Sequence, residues 1–193
     1  MKTILAEAKK SLVAIAALAF LCCALYPATV WTFSQTLFSF QARGSLLKRD
    51  GQVVGSSLLA QKVTAAKYFH PRPSCAGDGY DGTASGGSNL GPLSRKLIGD
   101  IGARARKYRE ENGLPPGYAV PADAVEASGS GLDPDISPEN AMLQAPRVAV
   151  ARHVPVEAIR RLVEQNTLPP ALGFMGERRV NVLELNLALD QQR

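Results

Sequence analysis

The stretch from residue 11 to residue 42 contains no charged side chain, and this feature constrains the fold of the chain more than any other. Within it, residues 12–33 are long and apolar enough to cross a bilayer core about 30 Å thick as one helix. Lys9 and Lys10 end the apolar segment on one side, while Tyr26 and Trp31 lie towards the other, where aromatic rings favour the headgroup region. The sequence therefore predicts one transmembrane helix at residues 12–33.

A cleaved signal peptide is the main alternative for this segment. The apolar run is longer than a usual signal-peptide core, and no clear Ala-x-Ala cleavage site follows it. A lipoprotein site is also disfavoured, because Leu21 precedes Cys22 where a small residue is expected. The pattern favours an uncleaved anchor, in which Pro27 should bend the helix locally.

The flanking charges bear on orientation. Basic residues lie on both sides of the segment: Lys2, Lys9 and Lys10 before it, and Arg43, Lys48 and Arg49 after it. The counts are nearly equal, but the short amino-terminal tail resembles that of a signal anchor, and a large following domain can be translocated regardless of charge. We therefore predict a cytoplasmic tail at residues 1–11, a membrane helix at 12–33 and an extracytoplasmic domain at 34–193.

Composition excludes several kinds of function for the polar domain. Of the three cysteines, Cys22 and Cys23 lie in the apolar segment and Cys75 is alone, so no disulfide framework is predicted. His70 and His153 are far apart and belong to no metal-ligand pattern. The net charge of +5 is mild and the basic residues are interleaved with apolar ones, as on solvated helix faces. We therefore expect no metal and no nucleic acid.

Periodicity and turn signals predict the elements of this domain. A strand begins near Val53 after an Asp-Gly turn, and a helix covers residues 93–112 with Gly113 as its stop. Ser137 caps a helix that reaches about residue 152, and another covers 156–165. Asn181, with a Glu three residues later, predicts a last helix at 182–189, and a strand at residues 180–189 is the alternative. The fold class is α+β: one transmembrane helix followed by a single domain with a small sheet.

One motif favours catalysis. Ser45 and Lys48 match the S-x-x-K spacing of serine acyltransferases, whose lysine must be held neutral by burial beside the nucleophile. No S-D-N or K-T-G partner follows them. A membrane-anchored Ser/Lys hydrolase is therefore kept only as an alternative function.

Two loops rich in glycine and serine attract attention as candidate sites. Their residues are Ser85, Gly86, Gly87, Ser88, Asn89 and Gly91 in the first loop, and Ser128, Gly129, Ser130, Gly131 and Asp133 in the second. Neither has the Gly-Lys-Ser/Thr of a phosphate-binding loop, and the second lacks an EF-hand pattern. We predict structural or partner contacts, with glycines that let one backbone approach another. Periodicity alone places Gln144 and Arg147 on a solvated helix face.

Five segments in order carry a family resemblance. They are YFHPRPS (68–74), SGGSNLGP (85–92), VPADAVEASGSGLDPDISPENA (120–141), Q-x-x-R-V-A-x-A-R (144–152) and GERRVNVLELNLAL (176–189). Together with the single amino-terminal span and the length, they resemble the C chain of the Kdp-type potassium-transporting ATPases. Each segment alone is weakly specific, but five in order over 120 residues are highly specific.

The resemblance implies a non-catalytic subunit of an ATP-driven potassium uptake complex in the bacterial inner membrane. Its partners would be a channel-like potassium-binding subunit, a P-type ATPase subunit, a small membrane subunit and membrane lipid. The family is described as a catalytic chaperone that raises the ATPase subunit's affinity for nucleotide, and its nucleotide contact would correspond to Gln144. No intrinsic cofactor is expected, and ATP would act through the complex. An extracytoplasmic domain meets no cytosolic ATP, so a nucleotide-binding regulator is a third, more distant hypothesis.

Overall fold

A computed structural model describes residues 2–191 of the chain. It divides into two compact units, Met1–Ser45 and Leu46–Arg193, each of which is described by itself. The first residue of the predicted tail, Met1, and the last two residues of the predicted domain, Gln192 and Arg193, lie outside the described part.

The first unit is almost entirely helical. Helix α1 (Lys2–Phe20) continues through a π turn (Leu21–Leu25) into α2 (Tyr26–Leu37), and a short α3 (Ser39–Ala42) follows. The stretch Thr3–Leu37 is long and apolar enough to cross a membrane, and none of its most apolar part is buried within the protein. Proline cannot donate to the carbonyl four residues before it, and the π turn ends two residues before Pro27, where the sequence predicts a local irregularity.

The second unit contains five strands and five helices among its described residues. In chain order they are β1 (Leu46–Arg49), β2 (Gln52–Ser56), α4 (Arg95–Asn112), α5 (Ala122–Val125), β3 (Asp135–Ile136), α6 (Pro138–Arg152), α7 (Val156–Gln165), β4 (Thr167–Leu168), β5 (Arg179–Asn181) and α8 (Val182–Gln191). This α+β composition, with one apolar helix before it, confirms the predicted fold class.

The strands form two small antiparallel sheets. Strands β1 and β2 make a hairpin, and a three-stranded sheet has the order β3-β5-β4. Strands of two residues carry no readable alternation, so the sequence did not predict β3 or β4. The strand proposed as the alternative at 180–189 is present only at its start, because β5 passes directly into α8 at Val182.

The core lies where α6, α7 and α8 meet the three-stranded sheet. Its largest fully buried apolar side chains are Phe69, Val148, Ile159, Val163, Val180, Leu185 and Leu189. The helix ends follow the predicted signals. The Ser137 hydroxyl accepts a hydrogen bond from the Asn140 N–H at 3.0 Å, and the Asn181 Oδ1 accepts one from the Glu184 N–H at 3.1 Å.

Candidate functional site

The side chain of Gln144 holds the backbone of His70. Its Oε1 accepts a hydrogen bond from the His70 N–H at 2.8 Å, and its Nε2 donates to the His70 carbonyl at 3.1 Å. Nε2 also donates to Asn140 Oδ1 at 2.9 Å, and Oε1 also accepts from Arg147 at 2.8 Å. Only 2% of Gln144 is exposed, and both hydrogens and both lone pairs of its amide are engaged.

Asn186 holds the preceding residue in the same way. Its Oδ1 accepts from the Phe69 N–H at 2.8 Å, and its Nδ2 donates to the Phe69 carbonyl at 3.0 Å. Two buried amides on different helices thus pair with consecutive residues, as neighbouring strands do in a sheet. The segment that contains Phe69 and His70 needs no strand partner, because these side chains satisfy its backbone groups. We call Gln144 and Asn186 the amide pair.

Two arginines of α6 extend this hold along the same segment. The Arg147 guanidinium donates to the carbonyls of Ala66 and Tyr68 at 2.6 and 3.0 Å and to Asn112 Oδ1 at 3.0 Å. Arg152 donates to the Lys67 carbonyl at 2.8 Å and pairs with Asp190 at 2.7 Å. Every carbonyl from residue 66 to residue 70 therefore accepts a hydrogen bond from a side chain of α6 or α8.

A chain of side-chain hydrogen bonds, which we call the polar relay, continues from the amide pair through Asn140. The Tyr108 hydroxyl donates to Asn140 Oδ1 at 2.8 Å, and Asn140 Nδ2 donates to Asp123 at 3.0 Å. Asp123 also accepts hydrogen bonds from the N–H and hydroxyl of Ser137 at 2.7 and 3.0 Å. Burial, followed by the charge of Asp123, raises the pKa of Tyr108, so that its hydroxyl stays a donor. The relay connects α4, α5 and the start of α6.

A cavity of about 290 Å³ opens beside this network. Its walls include His70, Tyr80, Arg104, Lys107, Glu111 and Gln144. Burial and the charge of Arg147 hold the pKa of His70 below its usual value, which keeps the imidazole neutral near pH 7. Within residues 2–191 there is no group of three or more His, Cys, Asp or Glu residues that could hold a metal ion.

The two glycine- and serine-rich loops lie against each other. The Gly86 N–H and the Ser85 hydroxyl donate to the Ser130 carbonyl at 2.9 and 3.0 Å. A β-carbon added to Gly87 would lie 3.1 Å from the Gly129 carbonyl oxygen, and one added to Gly131 would lie 2.6 Å from that of Gly86. The glycines allow this close backbone approach.

The other predicted loop residues have different surroundings. The Asp133 carboxylate pairs with Arg72 at 2.9 Å, and the Ser128 and Ser130 hydroxyls lie 3.4 Å apart. Asn89 has a left-handed backbone with φ of 51°, and no hydrogen bond brings Ser88, Asn89 or Gly91 to the second loop within the described part of the chain. The loop role of these residues in assembly stays a prediction.

The candidate nucleophile and its base lie in unfavourable surroundings for catalysis. Ser45 is buried, with 4% exposed, whereas Lys48 is exposed on β1. A lysine base in this chemistry has to be desolvated to stay neutral. The exposure of Lys48 therefore gives the Ser/Lys hydrolase no support.

The interpretation of Gln144 and Arg147 as a solvated helix face was wrong. Gln144 faces the protein interior, and Arg147 reaches across to a segment almost 80 residues earlier in the chain. Helical spacing shows that Gln144 and Arg147 lie on one side of α6, but it cannot show that segment 66–70 packs against that side. Sequence reasoning also missed Asn140 and Asn186, and the one signal available was a polar amide at an otherwise apolar position of each helix.

The segments that carry the resemblance contact one another. Segment 68–74 is held from 144–152 and 176–189, and the loop 85–92 packs on 128–131. The Arg179 guanidinium, in the last segment, pairs with Asp135 at 3.0 Å. The molecule is thus of a definite class: one apolar amino-terminal helix that fits a single-pass membrane protein, and an α+β domain fastened by side-chain hydrogen bonds to its own loops.

Comparison with known proteins makes the family explicit. Residues 8–191 match the family model KdpC, described as K+-transporting ATPase, c chain. Potassium-transporting ATPase KdpC subunits from Mycobacterium tuberculosis (strain ATCC 25618 / H37Rv) and Beijerinckia indica are 58% and 55% identical over 86% of this chain, which is 88% and 84% of their own lengths. The subunit from Caulobacter vibrioides is 54% identical over 86% of this chain and 83% of its own. The chain belongs to the KdpC family, the C chains of potassium-transporting ATPases.

Proposed function

We propose that this chain is a non-catalytic subunit that assembles with, and stabilises, the other subunits of an ATP-driven potassium uptake complex. These would be a channel-like potassium-binding subunit, a P-type ATPase subunit and a small membrane subunit. The observation that carries the proposal is the interlocking of the five family segments. Central polar side chains of these segments, those of Gln144, Arg147 and Asn186, are occupied in holding segment 66–70, which suits a rigid binding body better than a reaction centre.

The hydrogen bonds of Gln144 also bear on whether this chain contacts nucleotide. A catalytic chaperone that contacted ATP through Gln144 would need free hydrogen-bonding groups there, and the amide of Gln144 has both hydrogens and both lone pairs engaged. We propose that Gln144 acts by fixing segment 66–70, and that any rise in the ATPase subunit's nucleotide affinity is transmitted through assembly. ATP then belongs to the complex, and the chain needs no cofactor of its own.

We further propose a single-pass protein of the bacterial inner membrane, with residues 1–11 in the cytoplasm and residues 34–193 outside it. The apolar helix and the short basic tail before it support this orientation. Reporter enzymes fused after Arg193 test it: one that works only outside the cytoplasm should be active. Activity of a cytoplasmic reporter instead would reverse the orientation and strengthen a nucleotide role.

Co-purification tests the function. A tagged chain should bring down a P-type ATPase subunit, and the complex should drive potassium uptake at low external potassium. Gly87→Val should reduce the amount of assembled complex, because its side chain meets the backbone of Gly129, whereas Gly86→Val, in the same loop with open space, should not. If Gly87→Val assembles fully but loses turnover, the loop acts in the transport cycle and the structural role is wrong.

The hydrolase alternative is tested separately. Ser45→Ala and Lys48→Ala should leave potassium uptake nearly intact, since neither side chain belongs to the network that holds the domain together. Loss of uptake in the fully assembled Ser45→Ala complex would contradict the non-catalytic proposal and favour a Ser/Lys enzyme.

A further inference from the structure

The first part of α4, together with the two residues before it, concentrates the charge of the chain. Residues 93–107 contain five basic side chains and one acidic one, a formal charge of +4, whereas the whole chain carries +5. Arg95, Lys96 and Arg106 are exposed and form no ion pair within residues 2–191. Lys107 reaches only Glu111, at 3.6 Å, and Asp100 is the single acidic residue among them.

The same stretch exposes apolar side chains. Leu93 is 91% exposed and Ile98 is 61% exposed, whereas Leu97 and Ile101 are partly covered by the domain. The buried residues of α4 are Tyr108 and Asn112, near its other end. The first part of α4 and the turn before it therefore leave two large apolar side chains, Leu93 and Ile98, that the domain does not cover.

We propose that residues 93–107 dock on an anionic lipid surface. A helix that combines exposed apolar residues with unpaired basic residues is typical of elements that lie at a bilayer interface, with the apolar side in the acyl boundary and the cations among phosphates. The positive charge of residues 93–107 complements the phosphates of an anionic bilayer. The proposal also rests on the apolar amino-terminal helix as a membrane anchor, because a domain tethered to a bilayer needs only weak intrinsic affinity to dock there.

The contribution of the basic side chains to docking can be estimated and tested. Each basic residue near an anionic membrane surface strengthens binding roughly fivefold. Replacing Arg95, Lys96 and Arg106 by Gln should thus weaken docking on the order of a hundredfold. The matched control removes three other exposed basic side chains, Lys62, Arg161 and Arg178, and should leave docking unchanged.

The experiment uses the full chain alone in nanodiscs, either of phosphatidylcholine or of phosphatidylcholine with one part in three of phosphatidylglycerol. Hydrogen exchange of amides in residues 95–102 should slow in the anionic discs, and the effect should disappear in about 1 M salt, where screening acts within about 3 Å. It should also disappear in the Arg95→Gln, Lys96→Gln, Arg106→Gln variant and persist in the control.

Two results would overturn the proposal. Exchange of residues 95–102 could be the same in both lipids and insensitive to salt, which would indicate no role for headgroup charge. Protection could also require added partner subunits, which would make this surface a protein interface. Neither of these results would affect the family membership or the proposed transport role, which the co-purification tests separately.

Discussion

At the scale of single residues, backbone conformation decides which side chain a position accepts. Gly131 has φ of +67° and lies so close to Gly86 and Ala76 that an added β-carbon would be 2.6 Å from the Gly86 oxygen and 2.7 Å from the Ala76 nitrogen. A β-carbon added to Gly86, in the opposing loop, would meet no atom within 4 Å. The two glycines therefore form a natural pair of variant and control.

Gly131→Ala should lower the free energy of unfolding by about 3 kcal/mol, because a strained backbone and a backbone clash act together. Gly86→Ala should change it by less than about 0.5 kcal/mol. Thermal or denaturant unfolding of both variants, full length in detergent, measures the difference. Equal stabilities would show that the two loops are not packed as described.

Leu172, in contrast to Gly131, is a residue with a large side chain at a position of positive φ. It has φ of +54° and is followed by Gly173 at +83°, in a turn closed by a 3.3 Å hydrogen bond from the Phe174 N–H to the Ala171 carbonyl. Such turns favour Asn-Gly, and Leu172 is 82% exposed, so its side chain offsets little of the strain.

Leu172→Asn should therefore raise the free energy of unfolding by about 1 kcal/mol. Leu172→Ala should not, since it removes the apolar surface but lacks the short polar side chain through which asparagine tolerates positive φ. Comparing the midpoints of the two variants by denaturant unfolding separates the backbone effect from loss of exposed apolar area. If alanine stabilises as much as asparagine, the backbone is not the cause.

At the scale of elements, the domain depends on helices that supply hydrogen bonds to a segment without secondary structure. Gln144→Ala should lower the free energy of unfolding by about 3 kcal/mol, because it leaves the N–H and the carbonyl of His70 without hydrogen-bond partners in a buried setting. Gln165→Ala, at the exposed end of α7, is the control of the same chemistry and should be near neutral. Slower hydrogen exchange or unchanged stability in Gln144→Ala would contradict the structural role of the amide pair.

The same segment makes stability depend on pH. The folded protein holds the pKa of His70 below the value of 6.5 that the unfolded chain has, chiefly through burial and then through the charge of Arg147. Below about pH 6.5 the unfolded state therefore binds more protons, and its relative free energy falls. Unfolding free energy measured from pH 8 to pH 5 should decline below about pH 6.5, and His70→Gln should show a smaller decline.

At the scale of the whole molecule, the amino-terminal helix should remain part of the mature protein. Ala14, Ala16, Ala17 and Ala19 provide small side chains for packing against a partner's membrane helices. Intact-mass spectrometry of the membrane-extracted protein should give a chain that retains residues 12–33. A mature amino terminus after Ala24 or Ala28 would identify a signal peptide instead, and a soluble domain released from the membrane would follow.

The sequence by itself determined whatever depends on neighbours along the chain. An uncharged apolar run predicted the long amino-terminal helix, and hydroxyl or amide caps at Ser137 and Asn181 predicted helix starts that the structure has. These signals are local because a cap acts across three residues and helical periodicity acts across four. The order of five family segments was also readable, and family comparison confirmed the membership it indicated.

Only the tertiary structure decided what distant residues do to one another. Gln144 meets His70 across 74 positions, and Asn186 meets Phe69 across 117, so no periodicity could reveal that these amides are buried and fully bonded. The strands of two and three residues exist because neighbours far along the chain pair with them. Interactions between near neighbours in the chain decide where helices begin and end, whereas long-range packing decides which polar face is covered. The face of α6 that carries Gln144 and Arg147 was therefore expected to be solvated, but in the folded domain it is covered by segment 66–70.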